Sequence, residues 1–142
     1  MEVRIATIDD ISDLFELNAL FENDTTLELM KASLIENDNE VVCIAHVNGV
    51  AAGYCCGLII KSMCYSSIRV DIESLYVKDD YRGQGIGEAL VKCLEEDVYA
   101  RGIYHLHIIT HSTNTKAQSL YEKLGYSKTG EIMLDKTLNR IE

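Results

Sequence analysis

An α/β fold built on a central mixed sheet is what the sequence predicts, and three observations carry that prediction. The apolar period changes repeatedly along the chain, between helical and strand spacing. Two runs rich in β-branched and small apolar residues, Glu40 to Val47 and Val50 to Ile60, flank Asn48-Gly49. A third such run, Ile68 to Val77, leads through a glycine-rich turn into a long amphipathic segment.

Taken in order, Glu2 to Ala6 alternates as a short strand. A helix is expected over about Asp9 to Ala19, capped by Thr7 or Asp9, with Ile11, Leu14, Phe15 and Leu17 inward. Thr25-Thr26-Leu27-Glu28 has capping-box spacing and starts a second helix through Leu27, Met30 and Leu34. Asn48-Gly49 tolerates positive φ, so a tight hairpin joins the two apolar runs around it. Ile68 to Val77 is the third long strand. Ile86, Leu90, Leu94 and Val98 mark the buried stripe of a helix ending at Arg101-Gly102. Ile103 to Thr110 reads as a strand and Asn114 to Leu124 as a helix capped by Gly125. The tail alternates as one or two strands, Tyr126 to Ser127 and Glu131 to Leu138. The order β-α-α-β-β-β-α-β-α-β gives a sheet that is antiparallel first and crosses over through helices later.

At 142 residues, with no proline, no low-complexity run and no internal repeat, the chain reads as one domain over 1–142. Its 47% apolar and 25% charged residues are a globular composition. A net charge of −10 argues against nucleic acid as a partner and favours cationic small molecules, although acidity also serves solubility alone. The five cysteines form no CxxC pair and read as apolar thiols of a reducing compartment. MEVRIATIDD has no apolar signal core, and the longest apolar run, Val50 to Ile60, is too short to span a bilayer. A cytoplasmic protein without a membrane partner is expected, with a homodimer left open.

The stretch Tyr81 to Leu90, YRGQGIGEAL, sets Gly83, Gly85 and Gly87 at the start of a helix. Three glycines there need a reason, because glycine weakens helices. The dinucleotide fingerprint fails at Glu88, where its last glycine should stand, and the Gly-Lys-Ser/Thr ending of a Walker loop is absent. A plain left-handed turn explains one glycine, not three. What remains is a cradle in which successive N–H groups converge on a phosphate at a helix N-terminus, with Arg82 adding charge.

These residues carry a resemblance. Arg82-Gly83-Gln84-Gly85-Ile86-Gly87 matches the R/Q-x-x-G-x-G/A motif of the GCN5-related N-acetyltransferases (GNAT), which cradles the coenzyme A pyrophosphate. NTKAQSLYEKLGY (114 to 126) is similar to the family's second coenzyme-contacting segment, and the spacing and element order agree over essentially the full chain. The resemblance implies a mixed, mostly antiparallel sheet of six to seven strands flanked by about four helices, with two strands splayed at the acyl-CoA site. It implies acetyl-CoA as cosubstrate and no metal. Leu75, Tyr76 and Val77 would offer backbone groups to the pantetheine arm as an added strand does, and an N–H near Tyr76 would stabilise the developing oxyanion. Arg82, Gly83, Gln84, Gly85, Ile86 and Gly87 would hold the pyrophosphate. Asn114 would hydrogen-bond the pantetheine, Ala117 would leave room beside it, and Tyr121 would be the general acid for the departing thiolate.

An alkylamine of pKa near 10 must lose a proton before it attacks a thioester. Glu73, two residues before Leu75, is the expected acceptor, directly or through water, or else it attracts the cationic substrate. Alternation sets Asp71 and Glu73 on one face and Ile72 and Ser74 on the other, with Asp71 as the reserve base. Alternation aligns His105 with His107, and with His111 they suggest a metal cluster, but they lie on or beside a strand expected to pack in the sheet, with no cysteine or acid at ligand spacing, and no metal is expected. Cys55 and Cys56 point to opposite faces and read as small residues beside the acyl pocket rather than nucleophiles. The acceptor region should lie on the first two helices. It holds Asp9, Asp10, Asp13, Glu16, Glu22, Asp24 and Glu28, opposite the loop Lys61 to Ser67. An acidic rim suits polyamines, aminoglycosides or lysine-like compounds, so the expected function is N-acetylation of a small cationic amine by direct transfer. A protein lysine or N-terminal acetyltransferase and a non-catalytic acyl-CoA-binding domain are the alternatives.

Overall fold

Strand β1 (Glu2–Ile5) leads into a 3-10 turn (Ile8–Asp10) capped by Thr7. The Asp10 carboxylate accepts from the Thr7 amide at 2.8 Å, and the Thr7 hydroxyl accepts from the Asp9 amide. The helix expected from Asp9 therefore begins as a 3-10 turn and continues as α1 (Ile11–Leu20), with Leu14 and Leu17 buried. Helix α2 (Leu27–Glu36) is capped by Thr26, whose hydroxyl accepts from the Leu29 amide at 3.1 Å, and it has no fully buried side chain. The structure is a computed structural model that describes residues 1–36 and 38–139.

Strands β2 (Glu40–Val47) and β3 (Val50–Ile60) pair antiparallel across Asn48 and Gly49, at φ 51° and 79°. That is the left-handed pair a two-residue hairpin needs. Strand β4 (Arg69–Val77) pairs antiparallel with β3. The chain then crosses over through α3 (Ile86–Ala100) and returns as β5 (His105–Ile108), parallel to β4. The sheet order is β1-β2-β3-β4-β5, mixed and mostly antiparallel as expected.

Alternation along β3 assigns its two faces. Beneath α3 lie Gly53 and Gly57, where there is no room for a side chain: a Cβ would sit 2.5 Å from the Tyr76 carbonyl oxygen or 2.9 Å from Val70. The helix settles there through Ile86, Leu90, Val91, Leu94 and Val98, none more than 2% exposed. Each such side chain contributes roughly 1.5–3 kcal/mol. On the opposite face Ile44, Tyr54 and Tyr76 pack against Leu14 and Leu17 of α1.

Residues 1–109 and 110–142 form two compact units. In the second, α4 (Thr115–Lys123) is capped by Asn114 and closed by Gly125 at φ 99°. None of residues 126–139 forms a strand, so the described sheet has five strands rather than six or seven. Ile132, Met133, Leu134 and Leu138 are 71–85% exposed. Alternation makes a strand only where a neighbour covers one face. Among the described residues no helix is long and apolar enough to cross a membrane.

Candidate active site

Strand β4 breaks its alternation at one residue. Cys56 pairs with Ser74 while the next residue, Gly57, pairs with Ile72, so Glu73 is the extra residue of a β-bulge. The bulge turns Ser74 and Tyr76 to the α1 face, opposite Cys56 and Tyr54, while Val70 and Ile72 stay with Gly57 beneath α3. The expected face-sharing of Ile72 with Ser74 is thereby corrected, because simple alternation fails at Glu73. Asp71 is engaged elsewhere: it pairs with Arg69 at 3.0 Å and has the His107 ring at 3.6 Å. At the same point β4 parts from β5. Their parallel ladder runs from Arg69–His105 to Ile72–Ile108, whereas β4 continues to Val77. Leu75, Tyr76 and Val77 thus lie past the end of the β5 ladder.

On the α1 face a cavity of about 350 Å³ is walled by α1 and α2 and floored by β2, β3 and β4. Its apolar lining includes Leu14, Leu29, Met30, Leu34 and Val42, and Glu22, Glu40 and Glu73 line it as well. The Tyr54 hydroxyl accepts from Asn18 at 3.2 Å and lies 3.0 Å from the Ser74 hydroxyl. Burial pushes its pKa up, so it stays a neutral phenol. Glu40 accepts from the Cys56 thiol at 2.9 Å and from the Ser33 hydroxyl. Burial, then the Glu40 charge, raises the Cys56 pKa, which keeps that thiol protonated and donating. Cys55, on the α3 face, is pushed up to about 12 by burial. Neither cysteine has a thiolate to offer as a nucleophile.

Of the acids expected at the acceptor rim, Glu22 lines the cavity and two others are built into the scaffold. Asp10 is 5% exposed and held by both terminal nitrogens of Arg4, at 2.7 and 2.8 Å. Those hydrogen bonds lower its pKa. Asp13 pairs with His46 at 3.1 Å. Oxygen and nitrogen atoms of Asp10, Asp13 and His46 come within 4.8 Å of one another, but both Asp10 oxygens are already held by the Arg4 guanidinium and Asp13 by His46. Glu40 is the residue the sequence did not announce. Its signal is slight, a lone carboxylate heading the otherwise apolar strand EVVCIAHV.

Past β4, Arg82 folds back on the strand end. Its Nε donates to the Val77 carbonyl at 3.0 Å, Nη1 pairs with Asp79 at 3.0 Å, and the guanidinium sits 5.9 Å from the Tyr76 ring centre. The Tyr76 ring in turn stacks on Phe21 with centres 5.1 Å apart. Gly83 and Gly85 take φ of 77° and 80°, and a Cβ on either would meet nothing within 4 Å. The backbone sign therefore demands glycine, and the space above is open. Gly85 is the N-cap of α3 and, lacking a side chain, leaves the first amides of a 15-residue helix facing outward. Such bare amides fit a phosphate. Gln84 is exposed beside them, Ile86 anchors the helix in the core, and Gly87 lies in its first turn.

In the second unit Asn114, Ala117 and Tyr121 follow one another at three- and four-residue spacing and share one face of α4. Asn114 Oδ1 accepts from the Ala117 amide at 3.1 Å. The half-buried Tyr121 ring meets Tyr126 edge-on, with centres 6.2 Å apart. His111 bonds the Thr113 hydroxyl at 2.7 Å. His105 and His107, expected within the packed sheet, stand exposed on β5 with their Nε2 atoms 3.0 Å apart.

The sequence profile of the acetyltransferase (GNAT) family matches residues 8–126. An acetyltransferase of Yersinia pestis (strain Pestoides F) is 34% identical over 143 residues, covering 97% of this chain and 96% of that protein. Among solved structures, an aminoglycoside acetyltransferase from an uncultured soil metagenomic sample, in complex with sisomicin, superimposes with a TM-score of 0.85 at 16% identity, over 97% and 96% of the two chains. A second aminoglycoside acetyltransferase, bound to the bisubstrate analogue CoA-S-monomethyl-acetylneamine, gives 0.85 at 19% identity, over 97% and 98%. The fold is theirs, and the profile and the near-full-length relative go further: the chain belongs to the acetyltransferase (GNAT) family, whose members draw their acetyl group from acetyl-CoA.

Proposed function

We propose that the chain, acting as one domain over 1–142, transfers the acetyl group of acetyl-CoA to the primary amine of a small cationic acceptor, by direct attack in a ternary complex. The observation that carries this reading is a coincidence at Glu73. There β4 leaves β5, which opens an edge for an acyl arm, and there Glu73 itself lines the cavity that also holds Glu22 and Glu40. The donor groove and the acceptor cavity meet at that residue. In this reading the backbone of Leu75, Tyr76 and Val77 aligns the pantetheine. The amides of residues 83–87, with the α3 dipole and Arg82, hold the pyrophosphate. Asn114 and Ala117 flank the arm.

The acceptor arrives as an ammonium ion. Glu73 takes its proton, directly or through a water, and the nitrogen lone pair forms the new C–N bond. An amide near Tyr76 stabilises charge on the thioester oxygen. As the C–S bond breaks, the Tyr121 hydroxyl protonates the leaving sulfur, and the surplus proton of the new amide nitrogen returns through solvent to the phenolate. The sisomicin-bound neighbour is named for an acceptor that is itself a polyamine, the same broad class.

Thiol release from acetyl-CoA against alkyl amines, aminoglycosides and peptides, with product mass, tests the reading. Turnover is expected with cationic small amines. Tyr121→Phe should lower kcat on the order of 10²-fold with coenzyme A affinity kept. Glu73→Gln should lower kcat/KM, with activity recovering as pH approaches the amine's own pKa. Acetylation of peptides alone, or coenzyme binding with no turnover on any amine, overturns it.

A further inference from the structure

Resting on the cavity as the acceptor site, we infer that the acceptor is a short linear amine with a second cationic group, an α,ω-diamine in form, and that Glu40 holds the second charge. Glu40 and Glu73 stand on β2 and β4, either side of β3, and line the same cavity. Strands two apart are separated by roughly 10 Å. An ammonium group at each carboxylate, joined by a few methylenes, fits between them.

The rest of the lining agrees with a hydrocarbon linker. Leu14, Met30, Leu34 and Val42 line the same cavity as the acids. Methylenes gain from burial against these side chains. Asn18, Tyr54 and Ser74 bond one another and Ser33 bonds Glu40, so the ring hydroxyls of an aminoglycoside would have to compete for these side chains, and each hydroxyl left unpaired is costly. Among the described residues lining the cavity there are three glutamates and no lysine, arginine or histidine. A cluster of carboxylates in a partly apolar space is stabilised by a cation from outside, and two such ends favour two cations.

Glu40 is also prepared for the task. The Cys56 thiol at 2.9 Å and the Ser33 hydroxyl of α2 donate to its two oxygens. Two donors of this kind fix the orientation of the carboxylate. A monoamine of equal length loses this second contact, and an ω-amino acid brings a like charge to it.

Calorimetric titration of the full chain, saturated with coenzyme A, with putrescine, cadaverine, butylamine, γ-aminobutyrate and sisomicin separates the possibilities without relying on turnover. The diamines should bind at least about tenfold more tightly than butylamine, with γ-aminobutyrate weakest, on the scale of one charge-assisted contact. Glu40→Gln should abolish the gap between diamine and monoamine and leave coenzyme A affinity unchanged. Equal binding of putrescine and butylamine, absence of diamine binding, tighter binding of sisomicin, or a gap that survives in Glu40→Gln overturns the inference. Should Glu40→Gln fail to fold, the wild-type ligand series decides alone. Thiol release keeps the two readings apart: an enzyme that acetylates butylamine or sisomicin and ignores diamines retains the acetyltransferase reading and loses this one.

Discussion

Gly85 takes φ of 80° at the N-cap of α3, with nothing within 4 Å of where a Cβ would point. A side chain there would meet two obstacles of different kinds. The left-handed backbone costs an L-residue about 1–2 kcal/mol, and the added atoms would stand in the open space that bare amides otherwise offer to a phosphate. Gly85→Val should therefore lower coenzyme A affinity by an order of magnitude or more, measured by calorimetry, while the fold survives with a modest drop in Tm. Unchanged affinity would remove the pyrophosphate from this loop. The glycines were legible in the sequence because their backbone freedom is intrinsic to the residue. Glu40 was not, since its role depends on Cys56 across the hairpin and on Ser33 of α2, partners that only the fold brings together. Tyr76 is an intermediate case. Its strand position was legible, but the stack of Phe21, Tyr76 and Arg82 that fixes the end of β4 was not.

Whole elements followed the sequence where a local rule sufficed. Asn48-Gly49 made its hairpin, and the stripe of α3 was buried as its spacing required. Two elements departed because neighbours decide them. The bulge at Glu73 breaks an alternation that reads as regular in the sequence, and the alternating tail forms no strand among the described residues. The start of α1 shows how one such neighbour acts. Arg4 on β1 grips Asp10, which also accepts from the Thr7 amide, so a single carboxylate ties strand, turn and helix together. The Arg4 hydrogen bonds, then that of Thr7, lower the Asp10 pKa from its ordinary value. Its contribution to stability is thus present above the unfolded value of about 3.9 and is lost as pH falls through the lower folded value. Asp10→Asn should reduce Tm by about 5 °C at neutral pH, and the gap from wild type should close progressively below about pH 4. Thermal melts at both ends of that range check it. A gap as wide in acid as at neutrality would mean that Asp10 acts through shape rather than charge.

At the scale of the molecule, the proposed function asks a chain of net charge −10 to accept two substrates of opposite sign. A cationic amine is drawn by the overall field and by the cavity carboxylates alike. Acetyl-CoA is an anion and approaches against that field, helped in the proposed reading by Arg82 and the first amides of α3, whose influence fades within a turn of the helix. Salt screens the long-range part of both interactions, with a Debye length of about 10 Å at 0.1 M and about 30 Å at 0.01 M. Raising ionic strength across that range should therefore raise KM for a dicationic amine and leave KM for acetyl-CoA level or lower it. Contacts between the pyrophosphate and the loop are short enough to survive screening, whereas the repulsion from distant carboxylates is not. The amine effect should be larger for a diamine than for a monoamine, since each positive charge interacts with the field separately. Initial rates at fixed pH, varying one substrate at a time with an inert salt, give both constants. If the two KM values rise together, the net charge of the chain has no part in selecting its substrates, and the loop alone sets how acetyl-CoA is met.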